Sequence, residues 1–357
     1  MAGGLGSRFW PMSQADNPKQ FIDILGTGQS MLQTTFARME MLCRRENIII
    51  VTSAAHANIV HEQIPGLLPY QVLSEPVRRN TAPCIAYAAA VIGSLCPDAT
   101  VVVTPSDHAV FGSQRFADNL ADAIEVVQTN DWVVTVGVQP TNPNSKYGYI
   151  QYSDNYSLPN HNRLHPVVTF TEKPPVEVAQ QFIASGEFFW NSGLLVWSLP
   201  VLKAAYERLL PAVAASFFSL SAISSDQVVA EAYATAESIS VDIGIMEKLD
   251  NVHVLEASFG WSDIETWETL YITYPHDTDG NAPVSGNIFL YDVKNTVVHV
   301  PNNQNVVVKG LNDYIVAAGG DTILICPRAD EEQLFRFSND VELKQLIGKQ
   351  NAKSAQS

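Results

Sequence analysis

Short runs of β-branched residues alternate with longer stretches of helical spacing through the first two thirds of the chain. Residues 48–52, 100–104 and 132–138 are continuous apolar runs that read as strands buried on both faces. Between them, 81–95 and 113–128 have helix length, and in the second Phe116, Leu120, Ile124 and Val127 line one side. Strands alternating with helices predict βαβ units, and so an α/β fold with a Rossmann-like, mainly parallel sheet and helices on both faces. Ligands of such sheets sit beyond the carboxyl ends of the strands, which directs the search for chemistry.

From Gly148 the pattern becomes mixed. Strands are expected at 149–152, 167–171 and 194–197, and helices at 176–184, 201–210, 226–236 and 243–249. The stretch 274–283 is dense in turn residues and marks a boundary. It separates a first domain over 1–274 from a small β-rich region over 283–347, whose short runs suggest one or two coils of a β-helix. A helix over 331–347 would close that region, and 348–357 reads as a disordered tail.

Composition narrows the function classes. Hydrophobic residues make up 46% of 357 and charged residues 16%, a globular balance. The net charge of −16 argues against coating nucleic acid or an anionic membrane, since both need excess Lys and Arg. Cys43, Cys84, Cys96 and Cys326 stand apart, with no zinc spacing or disulfide framework. With no apolar run of membrane-spanning length, a soluble protein of a reducing compartment, the cytoplasm, is expected. The charge is uneven: residues 1–80 carry a net +1, whereas 226–279 hold twelve acidic residues against Lys248 alone. Solvated acidic helix faces account for most of the latter, and a locally basic N-terminal segment suits an anionic ligand.

That segment contains Gly3, Gly4 and Gly6, then Arg8 and Lys19. Glycines let backbone amides approach phosphate oxygens, and the two cations supply charge for a polyphosphate; an ordinary glycine turn is the alternative. The loop is neither a Walker loop nor a dinucleotide fingerprint. A phosphate loop normally leaves the end of a strand, yet here only Met1 and Ala2 precede it. Several apolar residues are therefore expected upstream in the working protein, and intact-mass measurement from the native source would reveal them.

Asp107 follows the most apolar strand, where a carboxylate can hold a divalent metal; a turn or helix-cap role remains open. Asp263 precedes a helix expected over 264–271 and is either a second carboxylate for that metal or an N-cap. Glu172 and Lys173 end a strand, and Asn191 lies at the start of one; each could hold a polar ligand or make a turn. The segment from Glu75 to Pro83 ends in a helix start, with Asn80 or Thr81 as cap or as a reader of a base.

The order of these signals carries more than each alone. AGGLGSRFWP, NPKQF, EPVRRNTAP, PSDH, KYGYIQ, FTEKP, FFWNSGLLVW, VDIGIMEK and GWSDIETW resemble, in register, the mannose-1-phosphate guanylyltransferases of the sugar nucleotidyltransferase superfamily. The motifs cover residues 1 to about 268, and the short β region resembles the family's C-terminal extension. The resemblance implies transfer of GMP from GTP to mannose 1-phosphate, giving GDP-mannose and pyrophosphate. It implies that Gly3, Gly4, Gly6, Arg8 and Lys19 hold the triphosphate and that Asp107 and Asp263 bind Mg²⁺. Glu75, Asn80 and Thr81 would line the guanosine pocket, Gly148, Glu172 and Asn191 would touch the mannose, and Lys173 its phosphate.

Two positions depart from the family's pattern. Glu265 stands where the family usually has glycine, and this added carboxylate would tighten the metal, misplace it or point away. Ile243 replaces an aromatic beside Asp242, a packing change. No long cupin-like extension follows Arg328, so a fused isomerase activity is not implied. Another sugar 1-phosphate or nucleotide, or a catalytically inactive nucleotide-binding paralogue, are the alternatives. A homodimer could form through the exposed C-terminal strands.

Overall fold

A computed structural model describes residues 1–4, 7–153 and 162–354, without the side chains of Ser7 and 345–354. The chain divides into two compact units. The first comprises Met1–Gly3, Thr35–Ser106 and Val110–Trp261; the second comprises Gly4–Thr34, Asp107–Ala109 and Ser262–Ser357. This partition differs from the break expected at 274–283, because the N-terminal loop shares a core with the C-terminal strands. Three short elements fall where the chain passes between units: α1 (Met31–Met39), β4 (Ala109–Phe111) and β10 (Gly260–Ser262).

The first unit is built on a six-stranded sheet in the order β3 (Thr100–Val103), β8 (Phe188–Ser198), β5 (Val133–Val138), β9 (Val252–Glu256), β7 (Leu164–Thr171), β6 (Tyr149–Tyr152). A separate parallel pair, β1 (Ile50–Ser53) and β2 (Val72–Glu75), extends to Ala2 through a parallel bridge with Thr52. The α/β architecture is as expected, but the large sheet is mixed. β5 and β9 run parallel, while β8 lies antiparallel between β3 and β5. Sequence reading begins that strand at Leu194 because Asn191-Ser192-Gly193 looks like a turn. The strand instead runs through it: Gly193 takes φ +71 and the β5–β8 register shifts between Thr135 and Gly137. Gly137 allows this crossing, since a Cβ there would meet Phe189 Cβ and Val254 Cγ2 at 2.6 Å.

Strand alternation divides the core. Val101, Val133, Leu195 and Trp197 face α3 (Thr81–Leu95), α6 (Leu199–Leu209), α7 (Pro211–Phe217) and α8 (Asp226–Thr235) in one buried cluster. α4 (Ser113–Thr129) packs on β3, β5 and β8, and buries Phe116 and Leu120. Smaller helices α2 (Ala57–Gln63), α5 (Val176–Ser185) and α9 (Val241–Gly244) complete the unit. The helices expected at 81–95, 113–128, 176–184, 201–210 and 226–236 fall within a few residues, because apolar spacing and caps such as Asn80 and Ser198 agree, whereas the one expected at 243–249 is the short α9 followed by a 3₁₀ turn over Met246–Lys248.

In the second unit, β11 (Ala282–Ser285), β13 (Val297–His299) and β15 (Tyr314–Gly319) stack in parallel, and β16 (Thr322–Pro327) returns antiparallel along β15. β12 (Asn287–Tyr291) pairs in parallel with β14 (Asn305–Lys309). These are the expected β-helix coils: Val293, Val298, Val308 and Val316 fill the space between the two sheets. On the other side of the stack, Val297, Ile315 and Ala317 join Phe9, Trp10, Ile24 and Trp267 in a second core. α10 (Trp267–Thr273) starts on that core, and Glu331 accepts hydrogen bonds from the N–H groups of Trp267 and Glu268 at its open end. α11 (Leu334–Ser354) continues past Gly348, where a disordered tail is expected from the sequence.

Candidate active site

In the second unit, the buried Lys19 opens a short 3₁₀ turn after Pro18. Its ammonium donates to the Asp263 carbonyl at 2.5 Å and lies 3.5 Å from Asp107 Oδ2. Two candidates separated by 156 positions thus meet one buried cation. Burial alone would raise the Asp107 carboxyl, but Lys19 and then His108 outweigh it and hold the group below its ordinary range. The cap alternatives do not apply here. Thr266 caps α10 through Thr269 N–H, and no helix starts at Asp107.

Arg8 forms an ion pair with Glu265, at 2.5 Å from Nη1 to Oε1. The Gly4 carbonyl accepts from Gln20 Nε2 at 2.9 Å, which ties the glycine loop to the Lys19 turn. Gly6 lies outside the described residues.

The first unit holds two further groups of candidates. At the end of β2, Glu75 is buried and its Oε1 accepts from the Tyr233 hydroxyl at 3.0 Å. A Cβ on Gly3 would come within 3.0 Å of its Oε2, so glycine leaves that oxygen room. Asn80, at φ +67, caps α3 by accepting from Thr81 N–H at 2.8 Å. The Thr81 hydroxyl accepts from Val241 N–H at 2.9 Å and keeps its own hydrogen to donate. Cap and tie roles are therefore visible for both residues, and the Asn80 amide nitrogen stays outside the cap bond.

Burial raises the Glu75 carboxyl above its ordinary value, with the Tyr233 hydrogen bond acting the other way. A carboxyl raised on folding favours the folded state in its protonated form. That contribution is full below the unfolded value and is lost as pH rises through the folded one. Glu75→Gln is therefore expected to stabilise the protein at pH 7, with the gain shrinking as pH falls towards the ordinary glutamate range. Urea unfolding midpoints at several pH values would measure it; a gain that grows on acidification contradicts the assignment.

The second group gathers at the start of β6, the end of β7 and the middle of β8. Gly148 accepts from Asn191 N–H at 2.8 Å, and a Cβ on it would meet Glu172 Oε2 at 2.7 Å. Asn191 Nδ2 donates to Asp242 Oδ1 at 2.9 Å, while its Oδ1 accepts from Gly193 N–H at 3.1 Å. Lys173, at φ +47, sets its ammonium 3.3 Å from Glu172 Oε1. Asp242 is a residue that sequence reasoning passed over. Its carboxyl is raised by burial and, more weakly, by Glu172, with the Asn191 hydrogen bond opposing. The available signal was its place in VDIGIMEK, read there only for the neighbouring Ile243.

In the second unit a lysine and an arginine offer positive charge and Asp107 a carboxylate, whereas in the first unit Glu172, Asn191 and Asp242 form a polar cluster against Gly148. Among the described residues no group of three or more His, Cys, Asp or Glu could enclose a metal. A carboxylate such as Asp107 is a hard oxygen donor, of the kind that holds a divalent cation shared with phosphates. No helix among the described residues is long and apolar enough to cross a membrane.

Comparison with known proteins agrees with this chemistry. A Salmonella montevideo mannose-1-phosphate guanylyltransferase is 32% identical over 336 residues, covering 91% of this chain and 69% of that protein. An Escherichia coli protein of the same name is 32% identical over 337 residues, covering 92% and 70%. A crystal structure from Thermus thermophilus, described as a mannose-1-phosphate geranyltransferase, superposes with a TM-score of 0.85 at 28% identity, covering 96% of this chain and 98% of that one. The nucleotidyl transferase family matches residues 1–280, and the chain belongs to that family.

Proposed function

We propose that this chain transfers GMP from GTP to α-D-mannose 1-phosphate, giving GDP-mannose and pyrophosphate. The observation that carries this reading is the buried Lys19 ammonium shared by Asp107 and the Asp263 backbone. Burying a lysine ammonium costs desolvation that Asp107 and the Asp263 carbonyl offset, and Lys19 lies in the unit that also carries Gly4 and Arg8. Relatives named mannose-1-phosphate guanylyltransferase support the choice of substrates.

A phosphate oxygen of the sugar phosphate attacks the α-phosphorus of GTP. The bond from that phosphorus to the bridging oxygen breaks, and pyrophosphate carries away the electron pair. A phosphate monoester is already ionised near pH 7, so no protein base has to activate it. The work of the protein is positioning and charge neutralisation. Lys19, Arg8 and the amides of Gly3, Gly4 and Gly6 hold the triphosphate and the departing pyrophosphate. Asp107 and Asp263 would hold a divalent cation, Mg²⁺ in this proposal, which neutralises phosphate charge when bound. Glu75, Asn80 and Thr81 read guanosine: a carboxylate accepts from the N1 and N2 donors that guanine has and adenine lacks. Gly148, Glu172 and Asn191 take the mannose hydroxyls, and Lys173 its phosphate.

Gly148→Ala is expected to raise the KM for the sugar phosphate roughly ten- to a hundredfold, because its methyl displaces the Glu172 carboxylate. Stability should change by less than about 1 kcal/mol, since the atom displaced is the end of a flexible side chain. Steady-state kinetics with varied sugar phosphate would check it; an unchanged KM removes Glu172 from the sugar site.

A cytoplasmic setting belongs to the proposal and suits four unpaired cysteines. So does a homodimer through the second unit, where Phe289, Val307, Ile323 and Ile325 are exposed. The decisive experiment crosses four nucleoside triphosphates with several sugar 1-phosphates and reads pyrophosphate release. GTP with mannose 1-phosphate should be preferred; GTP no better than ATP, UTP or dTTP would overturn the guanylyl assignment.

A further inference from the structure

Arg8 is 54% exposed on its side chain and Glu265 33%, so the guanidinium is the more open member of the pair. Ile264 holds φ +37, a left-handed conformation that a β-branched residue rarely takes. Its side chain is fully buried beside Phe9 and Trp267, and its N–H donates to Ser262 Oγ at 3.2 Å. This locked kink sets the direction in which the chain leaves Asp263 and presents Glu265. Glu265 Oε1 meets the Arg8 guanidinium, and Oε2 is buried without a hydrogen-bond partner. A guanidinium recognises carboxylate and phosphate through the same fork of N–H donors. Glu265 Oε1 occupies Nη1 of that fork, so a phosphate that takes the whole fork competes with a carboxylate already there.

We propose that Glu265 is an internal competitor for phosphate at Arg8, a carboxylate that holds the guanidinium ready and weakens the grip on the pyrophosphate group. This rests on Arg8 being a phosphate-binding residue, as proposed above. Its consequence is faster release of pyrophosphate, since a product leaving Arg8 is replaced by the side chain instead of by water alone.

The test is calorimetric titration of the full chain with inorganic pyrophosphate in the presence of Mg²⁺. Glu265→Gln, which keeps shape and removes charge, is expected to bind pyrophosphate about tenfold more tightly, and Glu265→Ala to change in the same direction. In an Arg8→Gln background the Glu265→Gln gain should vanish, which separates displacement at Arg8 from a general loss of negative charge. Binding that is unchanged or weaker in both Glu265 variants overturns the proposal, as does an equal gain in the Arg8→Gln background. Absence of pyrophosphate binding by every form overturns it too. Failure of the functional reading has a different signature: normal pyrophosphate binding with no nucleotide sugar formed from any nucleoside triphosphate.

Discussion

Asp107→Asn is expected to lower kcat/KM for pyrophosphate release by about two to three orders of magnitude, the usual cost of removing one preorganised charge at a phosphoryl centre. The substitution keeps the size and one acceptor oxygen, so the loss measures charge. Lys19 would then face a neutral amide at the position where its ammonium lies 3.5 Å from a carboxylate. Because Asp107 is 35% exposed, solvent offsets part of that change, and the stability cost should stay near 1–2 kcal/mol. Turnover measured across a range of Mg²⁺ concentrations separates the two effects. A weakened apparent metal affinity with a near-normal unfolding midpoint fits a ligand role, whereas full activity in Asp107→Asn would remove Asp107 from the site.

The readability of this chain followed the range of the interactions involved. Helices α3 and α4 were legible because their caps and apolar spacing are local: Asn80 bonds to the next residue, and Phe116 and Leu120 are four apart. The long β8 is not legible locally, because Asn191-Ser192-Gly193 has turn chemistry while what keeps it extended comes from elsewhere. Ser192 donates to the Val136 carbonyl and Thr135 to the Leu194 carbonyl, both across the sheet. Candidate residues were found by motif, but their connections were not. Nothing near Lys19 in sequence announces Asp263, 244 positions away, and nothing near Glu265 announces Arg8. The division into units was hidden for the same reason. A run of turn residues at 274–283 looks like a boundary, but only three-dimensional packing shows that Phe9 and Ile24 belong with Val297 and Ile315.

That shared core is where the largest stability effect is expected. Trp267→Ala should destabilise the protein by about 3–5 kcal/mol, the range for emptying a large buried aromatic site. Trp267 is fully buried, and its ring meets Phe9 edge-on at 5.2 Å and 62°. Its indole N–H donates to the Trp10 carbonyl at 3.4 Å. It therefore fixes the backbone beside Arg8 as well as the start of α10, four residues beyond Asp263. Trp267→Phe, which keeps most of the volume and gives up the hydrogen bond, should cost less than half as much. Denaturant unfolding of the three forms would establish the ranking. Activity should fall in Trp267→Ala even at temperatures where the chain remains folded, since a cavity beneath Phe9 and Trp10 frees the loop carrying Arg8. A loss below about 1 kcal/mol would mean that the N-terminal loop and the β-coil do not depend on one another through this residue. Full activity in folded Trp267→Ala would show that Arg8 needs no such support.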